Sequence, residues 1–309
     1  MTAGERSVRI DIGICTYRRP ELRATLESLF RLAEPMGVQL RLIVADNDAS
    51  PSARALVDEM RVHSPFPIHY VHCPKSNISI ARNACLAESD ADYLAFIDDD
   101  ETATPLWLAE LFSTLMHSGA DAVLGPVRAI YDGRSAGWMR KGDFHSTMPV
   151  WVEGRIRTGY TCNVLLDMRS PAVSGRRFAL SLGQSGGEDT HFFTGLTDDG
   201  GRIEFARDAI VEERVPEKRA SFSWLAKRRF RSGQTHGRIL AAKNAGLSRV
   251  KQTGVAGLKF VFCAAMGAAT AFSPVKRNRY VLRAALHAGV VSGTLGMREI
   301  RQYGAVETA

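Results

Sequence analysis

Four acidic side chains stand in a row in "FIDDDE", residues 96–101, directly after the apolar "YLA". Carboxylates this close repel one another and raise each other's pKa. Such a run at the end of an apolar segment implies an outside partner. Hard divalent ions such as Mg2+ or Mn2+ take carboxylate oxygens, and they bind best when phosphate oxygens share the ion. A second acidic pair, Glu188-Asp189, lies in "GQSGGEDTHFF" (183–193), where glycines give way to a helical pattern. A carboxylate there could serve as a general base, or could simply complement the helix dipole. "CTYRRP" (15–20) and "ADNDAS" (45–50) add Arg18, Arg19, Asp46 and Asp48. Carboxylates beside guanidinium groups suit a nucleotide diphosphate with its divalent metal.

Alternating elements must hold these residues. Buried-strand patterns cover 8–15, 40–46, 68–73, 92–98 and 121–127. Between them, apolar residues at helical spacing predict helices over 20–34, 50–63, 77–89 and 104–119, with Ser50 as a cap and Pro51 in the first turn of its helix. This alternation argues for an α/β fold with a mostly parallel central sheet flanked by helices. In such sheets the ligand lies outside the carboxyl ends of the strands. The polar ends "CTYRRP", "ADNDAS" and "IDDDE" are then expected along one edge.

"GYTCNVLLD" (159–167) reads as a further strand, whose Asn163 either faces a ligand or fills the core. Trp138 and Trp151 lie in a loop-rich stretch, 131–157, that could shape a second binding site or pack internally. His145 and His191 have no second His or Cys at ligand spacing, which argues against a histidine metal site. Five scattered cysteines without a CxxC pair argue against disulfides and zinc, and "MTAGERSVRI" lacks the apolar core of a secretory signal. Both fit a cytoplasmic chain.

The net charge of +7 conceals a split. From Lys218 onward there are 17 Lys+Arg and 2 Asp+Glu, about +15; the preceding 217 residues hold 23 and 31, about −8. A strongly basic end seeks an anionic surface. Two apolar runs, 260–275 and 284–297, are shorter than the ~20 residues a bilayer span needs. With flanking cations they predict interfacial or re-entrant helices. The division expected is a catalytic domain at 1–220 and a basic helical region at 221–309, associated with the cytoplasmic face of the inner membrane.

"ICTYRRPELRATLESL", "VADNDAS", "NISIARNACLAESDADYLAFIDDDE" and "GGEDTHFF" together resemble the family 2 glycosyltransferases of GT-A fold, in particular bacterial exopolysaccharide enzymes of the succinoglycan kind. The likeness covers roughly residues 8–235. It implies a role for each matched position. Thr16, Tyr17 and Arg18 fall where the family contacts the nucleoside, and Asp46 where a carboxylate meets the uracil ring. Arg82, with Asn83, matches a helix start facing the nucleotide. Asp98-Asp99-Asp100 match the DxD signature, Asp98 and Asp99 on the nucleotide side and Asp100 at the metal, Mg2+ or Mn2+. Glu101 reads as an outer residue or the cap of the next helix. Asp189 matches the catalytic base, with Glu188 beside it.

"SFSWLAKRRFRSGQTHGR" (221–238) partly resembles the family's QxxRW element. Arg229-Phe230 stand for Arg-Trp, but Ala226 stands at the Gln position, which favours single-sugar addition over processive synthesis. Glu188, Trp224 and Arg229 are candidates for the acceptor or a diphosphate. The resemblance implies an inverting transfer from a UDP-sugar to a polyprenyl-diphosphate-linked saccharide. A sugar nucleotidyltransferase would need a Gly-rich phosphate loop, which "CTYRRPE" lacks. A nucleic-acid-binding role for the basic tail would need a stacking platform and would leave the acidic site unexplained, so no nucleic acid is expected as a partner.

Overall fold

A computed structural model describes residues 7–298. The first six residues of the predicted signal-free N-terminus, and residues 299–309 of the basic region, lie outside them. In chain order the elements are β1 (Val8–Thr16), α1 (Leu22–Leu29), β2 (Val38–Asp46), α2 (Arg54–Arg61), β3 (Ile68–His72), α3 (Ile78–Glu88), β4 (Tyr93–Asp98), β5 (Glu101–Ala103), α4 (Trp107–Ser118), β6 (Ala122–Leu124) and β7 (Val127–Ile130). After these come α5 (Gly137–Gly142), β8 (Trp151–Val152), β9 (Arg155–Ile156), β10 (Asn163–Asp167), α6 (Glu188–Asp198), β11 (Ile203–Phe205), β12 (Val211–Arg214), α7 (Phe222–Lys243), α8 (Gly246–Ala269) and α9 (Pro274–Thr294).

Seven strands form the central sheet in the order β11-β6-β10-β4-β1-β2-β3. β1, β2, β3 and β4 run parallel, and β10 alone is antiparallel to its neighbours. The expected α/β fold with a mostly parallel sheet is therefore present. β1 shows why both faces are covered. Ile10, Ile12 and Ile14 point to one face with Leu22 and Leu26 of α1, Val57 of α2 and Trp107 of α4. Cys15 points to the other, with Ala81 and Cys85 of α3 and Phe192 and Phe193 of α6. Successive strand residues alternate between faces, and burying both demands a near-continuous apolar run.

Register brings the polar ends together. Thr16 pairs with Asp46 across β1 and β2, Cys15 with Asp98 across β1 and β4, and Asp46 with His72 across β2 and β3.

The predicted strand 121–127 is two strands. β6 joins the central sheet and β7 joins a second sheet, β5-β12-β7. Pro126 brings no N–H to a ladder, and a Cβ on Gly125 would lie 2.3 Å from the Ala209 carbonyl oxygen. The helix predicted over 50–63 begins only after Ala53, and Ser50 is not its cap. Its N-cap is Ala53, whose own N–H donates to Asp46 Oδ2 at 2.8 Å.

The two C-terminal apolar runs also differ from expectation. Run 260–275 crosses the turn between α8 and α9, where Pro274 opens α9. Much of run 284–297 is buried: Gly289, Val290 and Gly293 pack against α7. Gly233 and Gly237 of α7 meet Gly289 and Gly293 of α9, so close that a Cβ on Gly289 would stand 2.0 Å from the Phe230 carbonyl oxygen. Small residues four apart on each helix permit this backbone contact. α8 is different. Leu258, Val261 and Phe262 are 74%, 62% and 61% exposed. Among the described residues it is the one helix long and apolar enough to cross a membrane.

Candidate active site

The site is built at the carboxyl edge from the ends of β1, β4 and β12, the start of α3 and the start of α6. At its floor lies Asp98, with Arg82 Nη2 3.9 Å from its Oδ1. Its side chain is 41% exposed. Asp99 is buried; its Oδ2 accepts from Tyr17 N at 3.3 Å, and Arg19 Nε lies 3.8 Å from its Oδ1. Asp100 stands between two guanidinium groups, Arg19 and Arg219, each 3.5 Å away. Arg219 is anchored by Glu213 Oε1 at 2.6 Å.

Glu101 is not a helix cap. It opens β5, is buried, and its Oε2 accepts from Asp98 N at 3.1 Å. The acidic run is thus folded back on itself, with Asp98 and Asp100 near the cleft and Glu101 beneath.

Burial raises the pKa of Asp98 to about 6 and that of Asp99 to about 7, with Asp100 adding repulsion in both. Burial likewise pushes Glu101 well above the carboxylate range, with Asp98 and Glu213 contributing. Arg82 and Arg19 oppose the rises at Asp98 and Asp99, but burial outweighs them in the cluster. Its oxygen donors fit a hard divalent cation. The contacts of Asp100 at 3.5 Å are longer than the ~2.7–2.9 Å of a charge-assisted bond, so its oxygens are not committed to the arginines. Asp98, Glu101 and Cys162 also lie with ligand atoms within 4.8 Å of one another. That set is less suitable for Mg2+ or Mn2+: burial holds the Cys162 thiol well above its usual pKa, and thiols prefer softer ions.

A pH dependence follows. Groups whose folded pKa is raised bind more protons folded than unfolded between about pH 4 and 7, so the metal-free chain loses stability from them as pH rises through that window. A cation that needs the ionised forms binds best above it. The increase in melting temperature given by Mn2+ should be largest near pH 7.5 and mostly gone near pH 5; thermal unfolding with and without Mn2+ at both values checks this.

The second acidic pair closes the cleft. Gly186 and Gly187 have φ of 87° and 93°, and α6 starts at Glu188. Only glycine takes this backbone readily. At Gly187 a Cβ would also meet Thr235 of α7 at 2.4 Å. Glu188, buried, pairs with buried Arg82. Burial raises the Glu188 pKa while Arg82 opposes the rise. Asp189 accepts from Thr190 N at 2.6 Å, and its charge acts on both Asp98 and Arg82. The two acidic motifs thus share one cleft, with Arg82 between them.

Other expected positions lie elsewhere. Asp46 is fully buried beneath the cleft. Its Oδ1 accepts from Asp48 N at 3.0 Å, and its Oδ2 from Ala53 N at 2.8 Å and the Tyr70 hydroxyl at 2.7 Å. The carboxylate expected at the base is fully used inside the protein. Its neighbour Asp48 instead holds Arg18 at 2.8 Å, and Arg18 lies 5.5 Å over the exposed Tyr17 ring. Asn163 fills the core: Trp107 Nε1 donates to it at 2.8 Å, and it donates to the Pro126 and Ala209 carbonyls.

Trp224 stacks on buried His145 at 5.4 Å, and Trp138 packs on Phe144 at 5.1 Å. His145 contacts the Arg219 carbonyl and the Tyr131 hydroxyl, and is not a metal ligand here. Trp151 is half exposed and edges Phe205. Arg229 is exposed on α7.

A mostly parallel sheet whose carboxyl edge gathers carboxylates and arginines in this way fits a glycosyltransferase of GT-A fold. The chain belongs to glycosyl transferase family 2, whose family model matches residues 11–180. It is 60% identical over 301 residues to the succinoglycan biosynthesis protein ExoM of Rhizobium meliloti, covering 97% of each chain. It is 26% identical over 252 residues to a glucosyl-dolichyl phosphate glucuronosyltransferase of Haloferax volcanii, covering 73% of this chain and 75% of that one.

Among solved structures, a Pyrobaculum calidifontis mannosyltransferase in complex with GDP-Man and Mn2+ aligns with TM-score 0.63 at 16% identity, over 92% of this chain and 86% of that one. S. aureus TarS in complex with UDP-GlcNAc aligns with TM-score 0.54 at 14% identity, over 94% and 93%. At such identities these two bear on fold alone.

Proposed function

We propose that the chain transfers one sugar from a UDP-sugar, with Mg2+ or Mn2+, to a saccharide carried on a polyprenyl diphosphate, inverting the anomeric centre, in succinoglycan-type exopolysaccharide synthesis. The observation that carries this is the joining of the two acidic motifs through Arg82. It supports reading Asp189, next to Glu188, as the base and the Asp98–Asp100 run as the diphosphate and metal site. The dolichyl phosphate in the archaeal relative's name supports a lipid-linked acceptor.

In this reading the Tyr17–Arg18 loop covers the nucleoside, and Asp46 holds the β2 end that carries Asp48 and, through it, Arg18. Asp98 and Asp99 face the nucleotide, and Asp100 with Asp98 would supply oxygens to the cation. Bound there, the cation would neutralise the departing diphosphate. Arg19, Arg82 and Arg219 contribute fixed positive charge around the same group.

Asp189 takes the proton of the acceptor hydroxyl as its oxygen attacks the anomeric carbon. The new C–O bond forms on the face opposite the bond that breaks, and the leaving electron pair stays on UDP. One displacement gives inversion. α8 rests its exposed apolar side on the cytoplasmic face of the inner membrane.

Calorimetric titration of UDP, GDP and dTDP, with and without Mn2+, tests the donor site. UDP binding that needs Mn2+ is expected, and Asp100→Asn should weaken it by roughly tenfold to hundredfold, the loss of one charged ligand to the bridging ion. Unchanged binding by that variant removes the metal assignment.

A further inference from the structure

The second sheet and the turn before α7 hold one arginine at both ends. Glu213 of β12 lies opposite Glu101 of β5 on one side and Ala129 of β7 on the other. Its Oε1 takes Arg219 Nη1 at 2.6 Å, and Arg219 Nη2 stands 3.5 Å from Asp100 Oδ2. The guanidinium thus bridges the second sheet and the acidic run. Arg219 sits on a short turn, residues 217–219, rather than on a long helix or strand. A long side chain there keeps its aim only if the backbone beneath it is fixed as well.

His145 supplies that anchor. Its Nε2 lies 2.9 Å from the Arg219 carbonyl oxygen, which also accepts from Ser221 N at 2.9 Å. The tautomer is set at the other nitrogen. The Tyr131 hydroxyl accepts from Phe144 N and His145 N, each at 3.1 Å, so both its lone pairs are taken. Its own proton is left to donate, and His145 Nδ1 is 3.0 Å away. Nδ1 is therefore the bare nitrogen, and Nε2 carries the proton given to Arg219.

The loop carrying His145 is tied to the sheet that carries Glu213. Val127 and Thr147 exchange backbone hydrogen bonds at 3.0 and 2.9 Å, and Ser146 Oγ accepts from Ala129 N at 2.9 Å. Trp224 stacks on the ring with 17° between the planes, and Arg228 Nη1 donates to the His145 carbonyl at 3.4 Å. Packing against Trp224 needs a ring and no more. Here both ring nitrogens are committed, one of them to the residue that faces Asp100.

We propose that His145 is a positioning residue: its Nε2–H holds the Arg219 backbone so that the guanidinium stays between Glu213 and Asp100, beside the donor diphosphate and its cation. What Arg219 serves there rests on the transfer reading above; how Arg219 is held does not.

Calorimetric titration of UDP into the full chain with Mn2+ present tests this. His145→Phe keeps a ring against Trp224 and removes the donor, while Arg219→Gln removes the guanidinium. Each should weaken UDP binding about tenfold, the scale of losing an outer partner of a metal site. Because His145 acts through Arg219, the double variant should bind about as weakly as Arg219→Gln alone. His145→Gln, whose amide N–H can stand where the Nε2–H stood, should return to within about threefold of native. Losses that multiply to about a hundredfold in the double variant would overturn the proposal. So would His145→Gln binding as weakly as His145→Phe, or His145→Phe binding as the native chain does.

A nitrogen-15 spectrum of the histidine rings reads the native chain without any variant. At neutral pH His145 should show a bare Nδ1 and a protonated Nε2, and the opposite tautomer overturns the proposal. A native chain that binds no UDP with Mn2+ sinks the transfer reading, and the service of Arg219 with it. Native binding with multiplying losses sinks the positioning role alone.

Discussion

Asp189→Asn should bind UDP and Mn2+ as the native chain does and lose transfer by about 10²–10⁴-fold in kcat, the range general-base catalysis supplies. A sugar hydroxyl is a poor nucleophile at neutral pH, and asparagine cannot take its proton. The two acids at the α6 start are not equivalent. Glu188 is buried against Arg82, and its burial opposes ionisation. Asp189 has its known contacts at one oxygen only, the Thr190 N–H and hydroxyl. Among the described residues its other oxygen accepts no hydrogen bond, as the base role requires.

The isosteric change keeps the Thr190 contact, so the donor site should not shift. A fall in kcat with an unchanged KM for the donor marks an interaction made only in the transition state. Single-turnover transfer with saturating donor measures it. Turnover within tenfold of native would remove Asp189 as the base.

The strand ends were legible because burial on both sheet faces forces apolar runs, and each run stops where polar residues begin. That placed "CTYRRP", "ADNDAS" and "IDDDE" on one edge before any register was known. What the pattern could not resolve was direction. At the end of β2, Asp46 turns inward because Tyr70, from β3, and the N–H of Ala53, the N-cap of the next helix, both need its oxygens. Nothing adjacent in sequence marks that.

Glu101 looked continuous with the metal run, yet the chain reverses after Asp98 and buries it. Arg219 and Glu213 were not singled out, because they reach Asp100 from the far end of the domain and carry no local signature. Two misses did have signals. Gly125-Pro126 is a breaker dipeptide inside the predicted strand. The glycines four apart at 233/237 and 289/293 encode the α7–α9 contact that buries the second apolar run.

Arg82→Met should cost about 3–5 kcal/mol of folding stability near neutral pH, the usual result of removing one partner of a buried pair. Arg82 and Glu188 are 7% and 4% exposed, and without the guanidinium the carboxylate stays buried beside the charges of Asp189 and Asp98. The sign with pH is fixed by the same physics. Losing Arg82 removes the charge that lowers the Glu188 pKa, so the folded pKa moves further above the unfolded value. A raised carboxylate pKa stabilises the folded state at low pH and is lost as pH rises through it.

The deficit of Arg82→Met should therefore be larger near pH 8 than near pH 5.5, as urea denaturation at the two values would register. A deficit below about 1 kcal/mol at both would mean the pair is not structurally buried in the sense claimed here. Adding Glu188→Leu supplies the discriminating arm. Replacing a whole buried pair by apolar groups of similar size is often neutral, so the double variant should regain most of the stability. It should not regain transfer, because Arg82 also stands 3.9 Å from Asp98 and ties the α6 start, with Asp189, to the Asp98 end of β4. Stability restored without activity would mean that the Arg82–Glu188 pair is kept for the position it gives the two acidic motifs rather than for the fold.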